Sequence, residues 1–458
     1  MLRKAILLLI LVYGFILRIA HLGYQSMWLD ETISAAAAKG ILEHGYPLLQ
    51  SGAAYTRALL FHYGMAFFIW IFREDFGARL ISVIFGVLTI WLAYIFAKKF
   101  IKTTFPRLAF PLLIALSTAQ IIYSRQARFY QAFLFFYFLS FYLFYTIIIK
   151  KEALFRKQWK SYALLIASLA FTMHIHLMGY ILIPLFFIIY LMHNLARKTL
   201  RSPLTWAAAI AITAFSAYLI LRLSPTAEMI ALYSFRYYRA YFSQLALLLF
   251  ALAGLIISIY KNPKPHASIA LISLTPFLGL FFIREFATRY AYFLTFPLML
   301  YVAALFKEAK FRYILLAVFI AFMAPSVFTL TPFREAAYDP SMPLADYKGA
   351  AAFLSTLEEE YPVAVTWSPA AAWYGYPADY QLNYSLSGLG HGFWRPVNGR
   401  ERFANAIVVN SQAQLPEEYI LVMDAQGARK LPAGNYNFTP CETLFKSYDI
   451  SVALCKSP

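Results

Sequence analysis

The sequence predicts an α-helical protein that crosses a membrane many times and ends in a small soluble α/β domain. Of its 458 residues, 61% are hydrophobic and only 14% are charged. Apolar runs long enough to span lipid recur as far as Leu330, and beyond that they shorten. A soluble globular domain carries about 25% charged residues, so this surplus means burial in lipid rather than one very large core. The formal charge of +18 does not indicate nucleic acid, because Lys and Arg fall in short clusters between the apolar runs instead of forming one face.

A spanning helix needs about 20 apolar residues. Runs of that kind lie at 4–20, 78–97, 108–123, 130–149, 161–176, 178–193, 203–223, 241–260, 268–283, 290–306 and 313–330. The first follows Met1-Leu2-Arg3-Lys4 and ends on Arg18-Ile19-Ala20-His21, a poor cleavage site, so it reads as an uncleaved signal anchor. Basic clusters set the topology: Lys98/Lys99/Lys102/Arg107, Lys150/Lys151/Arg156/Lys157/Lys160, Arg197/Lys198/Arg201, Lys261/Lys264 and Lys307/Lys310/Arg312. All five share a side with Arg3 and Lys4 only if the further run Ala58–Phe72 does not cross. That run is short, contains His62 and follows Arg57, so it reads as an interfacial or re-entrant helix. The expectation is eleven spans in residues 1–330 of a plasma or inner membrane. The N-terminus is cytoplasmic, the first outer loop covers about 21–77, and an extracytoplasmic domain covers 331–458.

The two sides differ in which cation they carry. Cytoplasmic loops hold 13 Lys and 6 Arg, whereas the outer loops before residue 330 hold only Lys39 against nine Arg: 57, 73, 125, 128, 222, 236, 239, 284 and 289. Topology needs only positive charge. Arg where topology disfavours it suggests that the guanidinium fork is wanted, and its donors match a phosphate bidentately. Snorkelling to lipid headgroups is the plainer alternative.

The first outer loop opens with Trp28-Leu29-Asp30-Glu31. Adjacent carboxylates at the exit of a span are costly near lipid unless paired or used. Asp30 could cap a helix running through Ala35–Lys39, but capping leaves Glu31 and the apolar shelter of Trp28 unexplained. A carboxylate beside an apolar ring is suited to general-base work, which makes Asp30 and Glu31 the catalytic candidates. Tyr55 and Arg57 precede the interfacial helix, where helix N-terminal amides also favour an anion. Arg125, Arg128 and Tyr130 follow in the second outer segment, and Arg289 and Tyr290 in the last. Trp28, His62, His174, His176 and Tyr290 read as lining of a substrate cavity. His174 and His176, two apart with no third ligand nearby, do not make a zinc site.

Four segments together resemble the GT-C membrane glycosyltransferases, in the branch of the dolichyl-phosphate-mannose protein mannosyltransferases and the bacterial lipid A aminoarabinose transferases. They are Trp28-Leu-Asp30-Glu31; Gly52-x-x-Tyr55-x-Arg57 with Gly77-x-Arg79-x-x-Ser82-x-x-Phe85-Gly86; Ser124-Arg-Gln-Ala-Arg128-Phe-Tyr130; and Arg289-Tyr290 followed by Pro297. The resemblance covers roughly residues 1–330 and implies a polyprenyl-phosphate sugar donor with inverting transfer to a lipid, glycan or protein acceptor. Asp30 takes the place of the family's base. Arg57, Arg128 and Arg289, with Tyr55 and Tyr130, would hold the donor phosphate. No His-Pro-Pro precedes the interfacial helix, a departure from the protein mannosyltransferases that weakens a protein acceptor. Inverting transfer needs a base and support for a departing phosphate, both of which these residues supply without a metal. Two carboxylates are too few ligands to require a divalent ion, whose involvement stays open.

In the C-terminal domain, Asp346 caps a predicted helix reaching Leu357. Val363–Trp367, Ala406–Val409, Tyr419–Asp424 and Ile450–Leu454 read as strands. Cys441 and Cys455, flanking a hairpin in an oxidising compartment, pair as a disulfide contributing about 3 kcal/mol. His391, Trp394 and Arg395 read as a surface loop. A transporter or flippase of lipid-linked sugars is the competing function. It would call for internal repeats and mid-membrane ionisable residues, whereas the charges here gather at the outer ends of spans.

Overall fold

The computed structural model describes residues 2–72, 74–101, 103–194, 211, 214, 245–279, 292–306, 313–314, 316–317, 320, 345–382, 398–424, 427–428, 431, 434–438 and 441–456, to which the structural statements here apply. The predicted spans at 203–223 and 313–330 fall almost wholly outside these residues. The chain forms two compact units, neither continuous in sequence. One comprises Met1–Arg18, Val83–Ser124 and Phe129–Thr329, and the other Ile19–Ser82, Arg125–Arg128 and Leu330–Pro458.

The first unit is helical because its sequence is a succession of apolar runs whose backbone groups can be satisfied only within a helix once water is absent. Its helices are α1 (Leu2–Ile19), most of α4 (Glu74–Phe100), α5 (Thr104–Leu116), α6 (Thr118–Ser124), α7 (Tyr130–Phe144), α8 (Gln158–Ile175), α9 (Leu182–Asn194), α10 (Leu245–Lys261), α11 (Pro263–Gly279) and α12 (Thr295–Leu305). Among the described residues, Asp75–Phe100 and Tyr130–Ile149 are each long and apolar enough to cross a membrane; the latter is α7 extended by a five-residue π-turn.

The predicted straight span at 108–123 is instead the pair α5 and α6, bent by 55°. Ser117 takes an extended conformation (ψ 118°), leaving α5's last carbonyls without helical partners. Arg18, fully buried, supplies them: its Nη1 donates to Ala115 O at 3.1 Å and to Gly14 O at 2.9 Å, and its Nη2 to Ile114 O at 3.1 Å. Gly86 leaves room for this guanidinium, since a Cβ there would lie 2.8 Å from Arg18 Nε and 2.6 Å from Ser124 Cβ. One buried polar cluster of this unit is satisfied by mutual bonds, which an apolar surrounding favours. Gln131 donates to Thr89 Oγ1 at 2.8 Å and to Gln120 Oε1 at 3.3 Å, and the Tyr292 hydroxyl reaches Gln120 Oε1 at 2.8 Å.

The second unit holds α2 (Leu29–His44), α3 (Leu59–Phe72), the start of α4, and the C-terminal elements α13 (Tyr347–Leu354), α14 (Ser368–Tyr374) and six strands. The 14-residue α3 rises about 21 Å, less than the ~30 Å of a hydrocarbon core. Gly40 is required where α2 meets the following turn, because a Cβ would sit 2.0 Å from Leu48 O. Gly45, at φ 74°, ends α2 with its N–H on Ile41 O.

The sheet has the order β3-β2-β1-β4-β6-β5, from β1 (Val363–Val365), β2 (Tyr380–Leu382), β3 (Ile407–Val409), β4 (Glu418–Asp424), β5 (Glu442–Ser447) and β6 (Ile450–Lys456). Strands β3, β2, β1 and β4 are parallel, and β6 joins antiparallel to β4 and β5. The four predicted strands coincide with β1, β3, β4 and β6. The sequence misses β2, which is three residues long, and β5, an edge strand whose polar ETLFKS face stays largely in water and so lacks an apolar run. Asp346 caps α13 as expected, accepting from Gly349 N at 2.9 Å. Cys441 and Cys455 form the predicted disulfide, with Cys455 buried beside Ala364, Leu382 and Tyr419.

Candidate active site

The acidic motif lies at the start of α2. Trp28 is extended (φ −79°, ψ 169°), and α2 begins at the next residue, so Asp30 and Glu31 occupy its first turn, where orphan amides and the helix dipole favour negative charge. The cap is Trp28, not Asp30, and the side chain that closes it is Glu31, whose Oε2 accepts from Trp28 N at 3.1 Å.

The two carboxylates have different surroundings. Glu31 is almost fully buried (2% exposed side chain) and so is its partner Arg79 (4%). Arg79 Nε and Nη2 reach Glu31 Oε1 and Oε2 at 2.9 and 2.8 Å, a bidentate pair. Ala127 N donates to Glu31 Oε1 at 2.6 Å, completing a shell of four bonds. Arg79 also donates to Leu22 O and Gln25 O at 2.8 Å and to Ser26 O at 3.1 Å, so all five guanidinium N–H groups are used. Asp30 is the open carboxylate, 21% exposed, with Arg128 Nη2 at 3.7 Å from its Oδ2. Arg128 is itself 4% exposed and held in place: its Nη1 donates to Asp30 O at 3.0 Å and Ser34 Oγ at 2.7 Å, and its carbonyl accepts from Ser82 Oγ at 3.0 Å. A carboxylate with solvent access, paired with a fixed guanidinium, can take a proton from an incoming hydroxyl. That guanidinium can meet a second anion.

A third layer buttresses this loop. Asp75, buried at the start of α4 one turn before Arg79, accepts from Trp373 Nε1 at 2.8 Å and from the Tyr374 hydroxyl at 2.9 Å. That hydroxyl also accepts from Met27 N at 2.6 Å. Burial, and then the charge of Asp75, push the Tyr374 hydroxyl pKa well above the ordinary tyrosine value. Trp367 Nε1 donates to Thr32 Oγ1 at 3.1 Å.

The remaining predicted residues are divided between the two units. Trp28 is buried beside the acidic pair. Tyr55 packs in the cluster under α2 with Ile33, Ala36, Ala37 and Leu49, and its ring meets that of buried His62 at 5.5 Å. Arg57 is exposed. Tyr130 belongs to the other unit, buried against Tyr123 and Phe129. His176 is also there, closing a 3-10 turn by accepting from Met178 N at 3.1 Å, while His174 is exposed at the end of α8. Arg289, Tyr290, His391, Trp394 and Arg395 lie outside the described residues. Sequence reasoning assigned no role to Arg79, Asp75 or Tyr374. The available signal was Asp75 and Arg79 one turn apart in an otherwise apolar helix, where ionised groups need partners. No group of three or more His, Cys, Asp or Glu suited to a metal occurs among the described residues.

No protein-family model matches the sequence, and no curated protein is similar to it in sequence. Similarity is found in structure. ArnT from Cupriavidus metallidurans, bound to undecaprenyl phosphate, superposes with a TM-score of 0.60 at 10% identity over 99% of this chain and 97% of that one. The apo form of the same protein gives 0.61 at 9% identity, over 99% and 98%. The apo Archaeoglobus fulgidus oligosaccharyltransferase gives 0.55 at 13% identity, over 93% of this chain and 70% of that one. At such identities the likeness is one of fold: the chain has the fold of these GT-C membrane proteins, the superfamily that the four sequence segments resemble.

Proposed function

We propose that this chain, which has the GT-C fold as its starting point, is a glycosyltransferase that moves a sugar from a polyprenyl-phosphate donor to an acceptor hydroxyl at the outer membrane face. Asp30 is the general base. It takes the acceptor's proton as the acceptor oxygen attacks the anomeric carbon from the side opposite the phosphate. The bond from that carbon to the phosphate oxygen breaks, the configuration inverts, and polyprenyl phosphate leaves with the electron pair. Arg128, held beside Asp30, stabilises the departing phosphate together with Arg57 and Arg289. Glu31, grouped with Asp30 as catalytic on sequence grounds, instead takes a positioning part, since its oxygens are engaged by Arg79 and two backbone amides. Tyr55, Tyr130, Trp28, His62, His174, His176 and Tyr290 remain proposed contacts to donor or cavity. The acceptor is a lipid, glycan or protein.

The observation that carries this reading is the division of labour at the start of α2, one carboxylate locked and the other open to solvent beside a fixed Arg, in a chain with the fold of a protein solved with undecaprenyl phosphate. The test is donor consumption in liposomes supplied with undecaprenyl-phosphate-linked mannose, glucose or aminoarabinose. Loss of a general base slows turnover by about 10²–10⁴-fold, which is the expectation for Asp30→Asn. A mutant as fast as wild type removes Asp30 from the role. Translocation of the lipid-linked sugar without its consumption would point to a flippase.

A further inference from the structure

The residues just before Asp30 are held in an unusual way. From Gln25 to Trp28 the chain is non-helical, and one backbone group of each residue is bonded to a side chain. Gln25 O and Ser26 O accept from Arg79, Met27 N donates to the Tyr374 hydroxyl, and Trp28 N donates to Glu31. Three of these four bonds involve residues of α2 and α4. The fourth comes from α14, in the C-terminal part of the chain, 347 positions away. Ser26 Oγ donates to Asp346 Oδ1 and accepts from Lys348 N, both at 3.0 Å, and Lys348 Nζ donates to Gly23 O at 3.1 Å, so the same C-terminal part grips the loop at three successive points.

We propose that Tyr374 is a positioning residue for the transfer reaction, acting through the Met27 amide to set where α2 begins and hence where Asp30 sits. The inference rests on Asp30 being the base. Met27 is fully buried, so no water takes over its N–H if the hydroxyl is removed. The hydroxyl is aimed by its other bond, to Asp75 Oδ2, whereas Trp373 bonds the opposite oxygen, Oδ1, and not the one that orients the hydroxyl. Asp75 lies one turn before Arg79 on α4, so a single helix face fixes both the Tyr374 anchor and the Glu31 pair. Freeing the Met27 amide lets the extended segment before α2 shift. A displacement of about 1 Å at a reacting group lowers turnover on the order of 10²-fold.

The decisive comparison is Tyr374→Phe against Trp373→Phe in the full-length protein. Both remove one hydrogen bond from Asp75, but only the first releases Met27. In liposomes, with whichever of the three undecaprenyl-phosphate sugars the wild type consumes, Tyr374→Phe lowers kcat about 10–100-fold with little change in donor KM, and Trp373→Phe stays near wild type. Hydrogen exchange in nanodiscs supplies a reading independent of the donor: the Met27 amide exchanges at least about tenfold faster in Tyr374→Phe and not in Trp373→Phe. Equal losses of kcat in both variants, or an unchanged Met27 exchange rate in Tyr374→Phe, overturn the inference. If Asp30→Asn is inactive while Tyr374→Phe has wild-type kcat, only the positioning role falls. If Asp30→Asn is fully active, the assignment of the base falls, and the positioning role falls with it.

Discussion

Replacing Arg79 by Leu tests whether the site is built around a buried ion pair. The guanidinium makes five hydrogen bonds, two to Glu31 and three to the carbonyls of Leu22, Gln25 and Ser26. Both side chains are nearly free of solvent, at 4% and 2% exposure. Deleting one partner therefore leaves a carboxylate buried with only the Trp28 and Ala127 amides for compensation. Breaking a buried pair in this way costs about 3–5 kcal/mol. The three orphaned carbonyls add to that cost, each by about 1–3 kcal/mol if water cannot reach it. Taking 3–5 kcal/mol as the floor, the unfolding temperature falls by roughly 6–20 °C. The assay is thermal unfolding in detergent followed by tryptophan fluorescence, since Trp28, Trp367 and Trp373 belong to the same unit as the pair. The double variant Arg79→Leu/Glu31→Leu loses less than the sum of the two single variants, because no uncompensated charge is left behind. A loss under about 1 kcal/mol in Arg79→Leu, or strict additivity in the cycle, would refute the reasoning.

Two further outcomes follow from the C-terminal part of the chain. Cys441→Ser, or reduction of the disulfide spanning 14 positions, lowers the stability of the second unit by about 3 kcal/mol, read as a lower midpoint in the same unfolding assay. Tyr374 gives a pH signature. Burial and Asp75 raise its folded-state pKa, so the folded protein keeps the proton that the unfolded chain begins to lose near about pH 10. Its contribution is therefore complete below that pH and declines as pH rises above it. Wild type loses stability there more steeply than Tyr374→Phe, and parallel curves in alkaline unfolding scans would show that the hydroxyl is not so held.

The Asp30–Glu31 pair shows how far the residues alone could be read. Composition and position mark both carboxylates as exceptional. What separated them was the identity of their partners. Glu31 meets Arg79, 48 positions away, and Asp30 meets Arg128, 98 positions away. The sequence singles out Arg128 because its segment is expected on the outer side, where an Arg is conspicuous. Arg79 was visible only as part of a motif, because an Arg inside an apolar helix advertises the need for a partner without saying which.

Helices of the first unit, the acidic motif at the start of α2, the capped α13, strands β1, β3, β4 and β6, and the disulfide were all determined by the sequence on its own. Each rests on a local signal: the length of an apolar run, a capping residue, a β-branched stretch, or the only two cysteines. Tertiary structure alone decided the break at Ser117, where Arg18 reaches carbonyls 96 and 97 positions away, and the bond from Tyr374 to Met27 across 347 positions. The physical reason is common to both. Hydrophobic periodicity is a property of neighbours along the chain, whereas a buried donor or acceptor is satisfied by whatever group the fold brings within 3 Å or so, and sequence distance puts no bound on that choice.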